Sequence, residues 1–80
     1  MIIVGIKDLP ANQFVMVAQF RTTAEFERSV IDIINSREPS LLASHPQDFE
    51  LWKLADMNLQ TGDVTPELKL IDNAQAYKRT

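Results

Sequence analysis

Only one stretch of this chain has helical periodicity, and it lies between runs with the character of strands. From Thr23 onward, Phe26, Val30, Ile33 and Ile34 recur as a single apolar stripe, while Glu25, Glu27, Arg28 and Asp32 fall mostly elsewhere on the helical wheel. Ile31 lies beside the stripe and widens it. Thr22 and Glu25 have the spacing of a capping box, so the helix is predicted to begin near Thr23. Asn35 and Ser36 are weak helix formers, and Pro39 disfavours a helical Glu38, so the helix should end by Arg37. A lone amphipathic helix must lay its stripe on an apolar surface, and a sheet presents one. That requirement points to an α+β fold.

The flanking runs supply the sheet. Met1 to Lys7 and Gln13 to Phe20 are rich in Ile, Val and Phe and are separated by Asp8-Leu9-Pro10-Ala11-Asn12, so they read as a hairpin. Strict alternation puts Phe14, Met16, Ala18 and Phe20 on one side of the second run, with Val15, Val17 and Gln19 on the other. Both sides are largely apolar, which suits a central strand or one whose second face meets a partner. After a single turn predicted over Ser40 to Ser44 and closed by Pro46, Phe49 to Ala55 and Val64 to Ile71 read as two further strands around a Thr61-Gly62-Asp63 turn. Pro66 cannot donate to a ladder and marks an edge or a bulge. The expectation is one domain over residues 1–72: a small antiparallel sheet of about four strands, ordered strand-strand-helix-strand-strand, with the helix on one face. Residues 73–80 are expected to form a loosely ordered tail. Val15, Val17 and Trp52 are left needing cover, or forming an interaction patch.

The residue inventory excludes much chemistry. The 80 residues include no cysteine and one histidine, which removes disulfides, thiolate ligands, thiol nucleophiles and multi-histidine metal sites. Gly5 and Gly62 are the only glycines, so no phosphate-cradling loop or dinucleotide fingerprint is present. Asp48, Glu50, Asp56 and Asp63 fit no calcium-loop spacing. His45 could join Ser44 or Ser40 and Asp48 in a hydrolytic trio, but no glycine elbow surrounds either serine, and a turn or capping role accounts for it. No catalytic constellation, metal or cofactor is expected.

A domain this small has a limited core and no covalent staple, so a homo-oligomer is expected. Eleven acidic and eight basic side chains give a formal charge of −3. Arg21, Arg28, Lys53 and Lys69, with the terminal pair Lys78 and Arg79, are the candidate phosphate or partner contacts, and only folding can gather them into a patch. Trp52, near Glu50 and Lys53, is a candidate contact or base-stacking side chain, whereas Phe14, Phe20 and Phe26 are assigned to the core. The longest apolar run, Phe14 to Ala18, is far too short to cross a bilayer, and no signal-peptide pattern follows Met1. No membrane partner is expected.

The segment Ser44-His45-Pro46-Gln47-Asp48-Phe49-Glu50-Leu51-Trp52-Lys53-Leu54-Ala55-Asp56, with Thr61-Gly62 and Val64 after it, is similar to the small nonstructural protein of gokushovirus-type microviruses, which are single-stranded DNA bacteriophages. The family pattern is a His-Pro start followed by Asp and an aromatic, an alternating strand with a second aromatic, and a Thr-Gly turn. Here Leu54-Ala55-Asp56-Met57-Asn58 replaces the family's usual Leu-Gly-Glu-Phe-Asp-like end. The opening strands and helix resemble the family in layout. The resemblance implies a non-enzymatic phage accessory protein of single-stranded DNA replication or packaging, working in the host bacterial cytoplasm. It would bind viral replication and packaging proteins or single-stranded DNA, or serve as a homo-oligomeric interaction module without DNA contact. It marks His45, Pro46, Asp48 and Phe49 as a motif loop, and it carries over no catalytic residue.

Overall fold

The computed structural model describes residues 1–79. Its elements are β1 (Ile2–Asp8), β2 (Gln13–Phe20), α1 (Thr23–Ile34), the single turn α2 (Leu41–Ser44), β3 (Phe49–Met57) and β4 (Val64–Asn73), with short 3-10 turns at Pro46–Asp48 and Ala74–Tyr77. The four strands form one antiparallel sheet in the order β2-β1-β3-β4, with α1 on one face, as the periodicity implies. The shortest dimension, 17 Å, leaves room for a sheet and one helical layer and nothing more.

The helix starts where its cap dictates: the Thr22 hydroxyl accepts from the Glu25 N–H at 3.2 Å. Its buried residues Phe26, Val30 and Ile34 lie on Val4 and Ile6 of β1 and Phe49 and Leu51 of β3, so the two central strands form the floor of the core. Phe20 closes one end against Phe26, with ring centroids 5.3 Å apart.

β2 is an edge strand, although its two apolar sides suited a central one. The chain passes over the sheet through α1 and returns as β3 on the far side of β1, which makes β1 and β3 the central pair. Strict alternation also fails in β2. Lys7 pairs with Phe14 while Ile6 pairs with Met16, so Val15 is an extra residue in a bulge. The bulge turns Phe14 to the same side as Val17 and Gln19, away from the core assigned to it, and turns Val15 toward the helical layer beside Leu41, Leu42 and Phe49. Pro66 satisfies both of its expectations: β4 is an edge, and its register with β3 shifts between Lys53 and Ala55.

The segment after β4, expected to be loosely ordered, is packed. Ala74 is fully buried, and Tyr77 lies against the core and donates to Glu27 Oε2 at 3.0 Å. The Asn35 side-chain amide donates to the Ile31 and Tyr77 carbonyls at 2.9 and 3.1 Å, and its oxygen accepts from the Arg79 N–H at 3.0 Å. The C-cap residue Asn35 thus holds the tail through its side chain, and Lys78 Nζ satisfies the Ile34 carbonyl left open at the end of α1. Thr80, the last residue of that expected tail, lies outside the described residues.

Candidate functional site

The sheet face opposite α1 carries no covering element among the described residues, and its composition is that of a contact surface. Residues directly opposite in an antiparallel ladder share a face, so the pairs Gly5–Val17, Gly5–Trp52, Lys7–Phe14, Lys7–Glu50 and Trp52–Leu70 trace this open face from β2 across to β4. Leu68 and Leu70 project from β4 on the same side, flanked by the helix-facing Glu67, Lys69 and Ile71.

At its centre Phe14 and Trp52 meet edge to face across Gly5, with ring centroids 6.4 Å apart and planes at 82°. The glycine is required there. A Cβ at position 5 would lie 2.9 Å from Phe14 Cδ1, 3.1 Å from Leu54 Cδ1 and 3.3 Å from the Met16 carbonyl oxygen. Lys7 Nζ sits 6.0 Å from the Phe14 centroid and 5.9 Å from that of Trp52, at the outer limit of cation–π reach. The Trp52 indole N–H donates to Glu50 Oε1 at 3.2 Å. The result is an aromatic platform flanked by one cation and one anion, set in apolar surroundings.

The basic side chains do not form a matching patch. Arg21 is exposed and pairs with Glu25 at 3.4 Å, and Arg28 is exposed on α1. Lys53 lies on the helix side, where its Nζ bonds Asp56 at 2.9 Å and Glu67 at 3.3 Å. The register shift between Ile3 and Val4 inserts Leu54 into β3 and brings Lys53 and Asp56 to one side. The hydrogen bond that Lys53 donates to Asp56 outweighs the desolvation of Lys53 and raises its pKa, and the same bond lowers that of Asp56. Lys69 stands directly opposite Lys53, and the two share a pocket of about 310 Å³ with Thr23 and Glu67. Lys78 is engaged elsewhere, donating to the Ile34 and Ala43 carbonyls at 3.4 and 3.2 Å. Arg79 follows it, so this pair sits at the end of α1 away from Thr23, roughly 18 Å along a helix of this length.

The motif loop has a structural account. His45 is exposed and caps α2 through its N–H to Leu41 O at 2.8 Å, Pro46 is buried at the head of a 3-10 turn, and Phe49 enters the core. The Asp48 carbonyl accepts from the Leu9 N–H at 2.8 Å, and the Gln47 carbonyl from the Asn73 amide at 3.1 Å. The loop therefore ties the β1–β2 turn to the end of β4. Among the described residues no group of three His, Cys, Asp or Glu side chains could hold a metal ion.

From the sequence, Lys7 and Glu50 are not marked as contact residues, and Phe14, weighed as a stacking side chain, is assigned to the core. Gly5 was the available signal, since an isolated glycine inside an Ile/Val-rich strand marks a close approach.

Fold and face together define a class: a two-layer α+β protein whose sheet leaves one aromatic-bearing face open. The family model described as Phage ORF5 protein matches residues 1–77, and the chain belongs to that family of phage proteins. No curated protein and no solved structure matches it. No helix among the described residues is long and apolar enough to cross a membrane.

Proposed function

We propose that this phage protein is an accessory factor that acts by binding, without a catalytic step, and that the open sheet face contacts proteins of the phage replication or packaging machinery. The observation that carries the reading is the Phe14–Trp52 platform on an apolar face where Lys7 and Glu50 offset each other's charge. Such a face suits a protein partner, because large aromatic side chains at a dry centre dominate protein contacts, whereas nucleic acid calls for clustered cations. The resemblance of the Ser44 to Asp56 segment to the gokushovirus-type nonstructural protein supports a place in single-stranded DNA replication or packaging, in the host bacterial cytoplasm.

Calorimetric titration with purified phage replication and capsid proteins tests the reading. One of them should bind, and Trp52→Ala should weaken that binding on the order of tenfold to a hundredfold while leaving the fold intact. Binding that ignores Trp52→Ala would remove the open face from the contact.

A second reading, direct contact with single-stranded DNA, draws on Lys7 standing beside two rings on which bases could stack. Fluorescence anisotropy of a labelled single strand at about 50 and 200 mM salt separates the two, since phosphate contacts weaken steeply over that range. Tight, salt-sensitive binding would favour the DNA reading.

A further inference from the structure

We infer that two copies of this chain join edge to edge through β2, running antiparallel to each other, to make a continuous eight-stranded sheet. Exposed edges present unpaired backbone groups, and proteins guard them with charge, proline or bulges. β4 has such guards: Pro66 lacks an N–H, and Glu67, Lys69 and Asp72 follow it. β2 has no charged residue and no proline over Gln13–Phe20. Its one guard is the bulge at Val15, beyond which Met16 to Phe20 pairs regularly with β1.

That regular stretch selects its own partner. Facing residues must share a side of the sheet, and in an antiparallel self-pairing the longest register that avoids the bulge is centred on Ala18. It sets Ala18 against Ala18, Val17 against Gln19 and Met16 against Phe20. Centring on Val17 would set Phe14 against Phe20, which lie on opposite faces. The chosen register brings the larger helix-side residues Met16 and Phe20 together and leaves the smaller Ala18 on the two-fold axis. No charges meet at all, so nothing repels the second copy, and the edge is self-complementary in size. It also places the second copy's Phe20 against Met16, at the mouth of an apolar groove of about 280 Å³ lined by Val15, Met16, Leu41, Leu42 and Phe49. The open faces would then be continuous, with the two Trp52 side chains five strand spacings apart, roughly 24 Å.

Sedimentation velocity across a concentration series is the test, with Gln19→Lys as the edge variant and Leu68→Lys as the open-face control. Gln19 and Leu68 are both exposed, so neither change disturbs the core. Edge pairing predicts a dimer that Gln19→Lys weakens about tenfold or more and that Leu68→Lys leaves intact. In a protein with no native cysteine, Ala18→Cys should give a disulfide-linked dimer under mild oxidation, because directly opposed Cα atoms lie about 4.5–5.5 Å apart, within disulfide reach; Leu68→Cys should not. A wild-type monomer at about 100 μM would overturn the inference. So would a dimer that Leu68→Lys abolishes and Gln19→Lys spares, which would place the contact on the open face. The Trp52→Ala titration is read independently of either result, so a failed edge does not count against open-face binding.

Discussion

The two faces of this sheet are built from the same kinds of residue and differ in what covers them. On the helix side Val4, Leu51, Phe26 and Ile34 are closed off from solvent by α1 and the docked tail. On the other side Val17 is 61% exposed and Leu68 69%. Hydrophobicity alone therefore does not say which side is the core. The difference is a matter of supply, since a chain with one substantial helix can roof one face. The uncovered face keeps its leucines and aromatics in contact with water, and surfaces of that kind mark sites of association.

The same truncation on each face gives the sharpest contrast, and its core half has the largest expected effect. Leu51→Ala should cost about 2–5 kcal/mol, lost contacts plus a cavity, and should shift the urea midpoint far down or unfold the domain outright. A loss under about 1 kcal/mol would mean that α1 does not press on β3 as the packing indicates.

Tyr77→Phe comes next. It removes the bond to Glu27 and should cost about 1 kcal/mol near neutral pH, read by the same denaturation. Burial, reinforced by the Glu27 bond, raises the Tyr77 pKa above the ordinary 10.0. The folded state thus holds a proton that the unfolded chain releases, so stability is fully present below about pH 10 and falls as pH rises through the raised value. Lys53, also raised, acts in the same direction. The alkaline loss should be shallower in Tyr77→Phe than in the wild type. Equal slopes would mean that the tail does not hold this side chain on the helix layer.

Leu68→Ala has the smallest expected effect, a change in stability within about 0.5 kcal/mol. A cost approaching that of Leu51→Ala would show that the open face is covered in solution and would erase the distinction between the two sides.

The edges repeat the lesson on a smaller scale. β4 carries a sign of its position in Pro66, which marks an edge or a bulge in the sequence and proves to accompany both. β2 gives no such sign, and its apolar alternation was indistinguishable from that of a buried strand. The bulge at Val15 was equally silent, because nothing local at Phe14-Val15-Met16 requires an extra residue there. It follows from the pairing of β2 with β1, and it moved Phe14 from the core to the platform beside Trp52.

What the sequence determined by itself was local. The Thr22 cap, the stripe of Phe26, Val30 and Ile34, the turn residues around Asp8 to Asn12 and Thr61 to Asp63, and the strand content all follow from preferences that act over a few residues. Those preferences were enough to set the order of elements and the two-layer class. The tertiary structure decided everything that depends on distant partners: that β3 returns beside β1, that Lys53 is held by Asp56 and Glu67, that Lys78 serves the Ile34 carbonyl, and that Gly5 lets Phe14 approach Trp52. The physical reason is that register and contact are set by free energy summed over long-range pairs, whereas spacing along the chain records only what a residue does with its near neighbours.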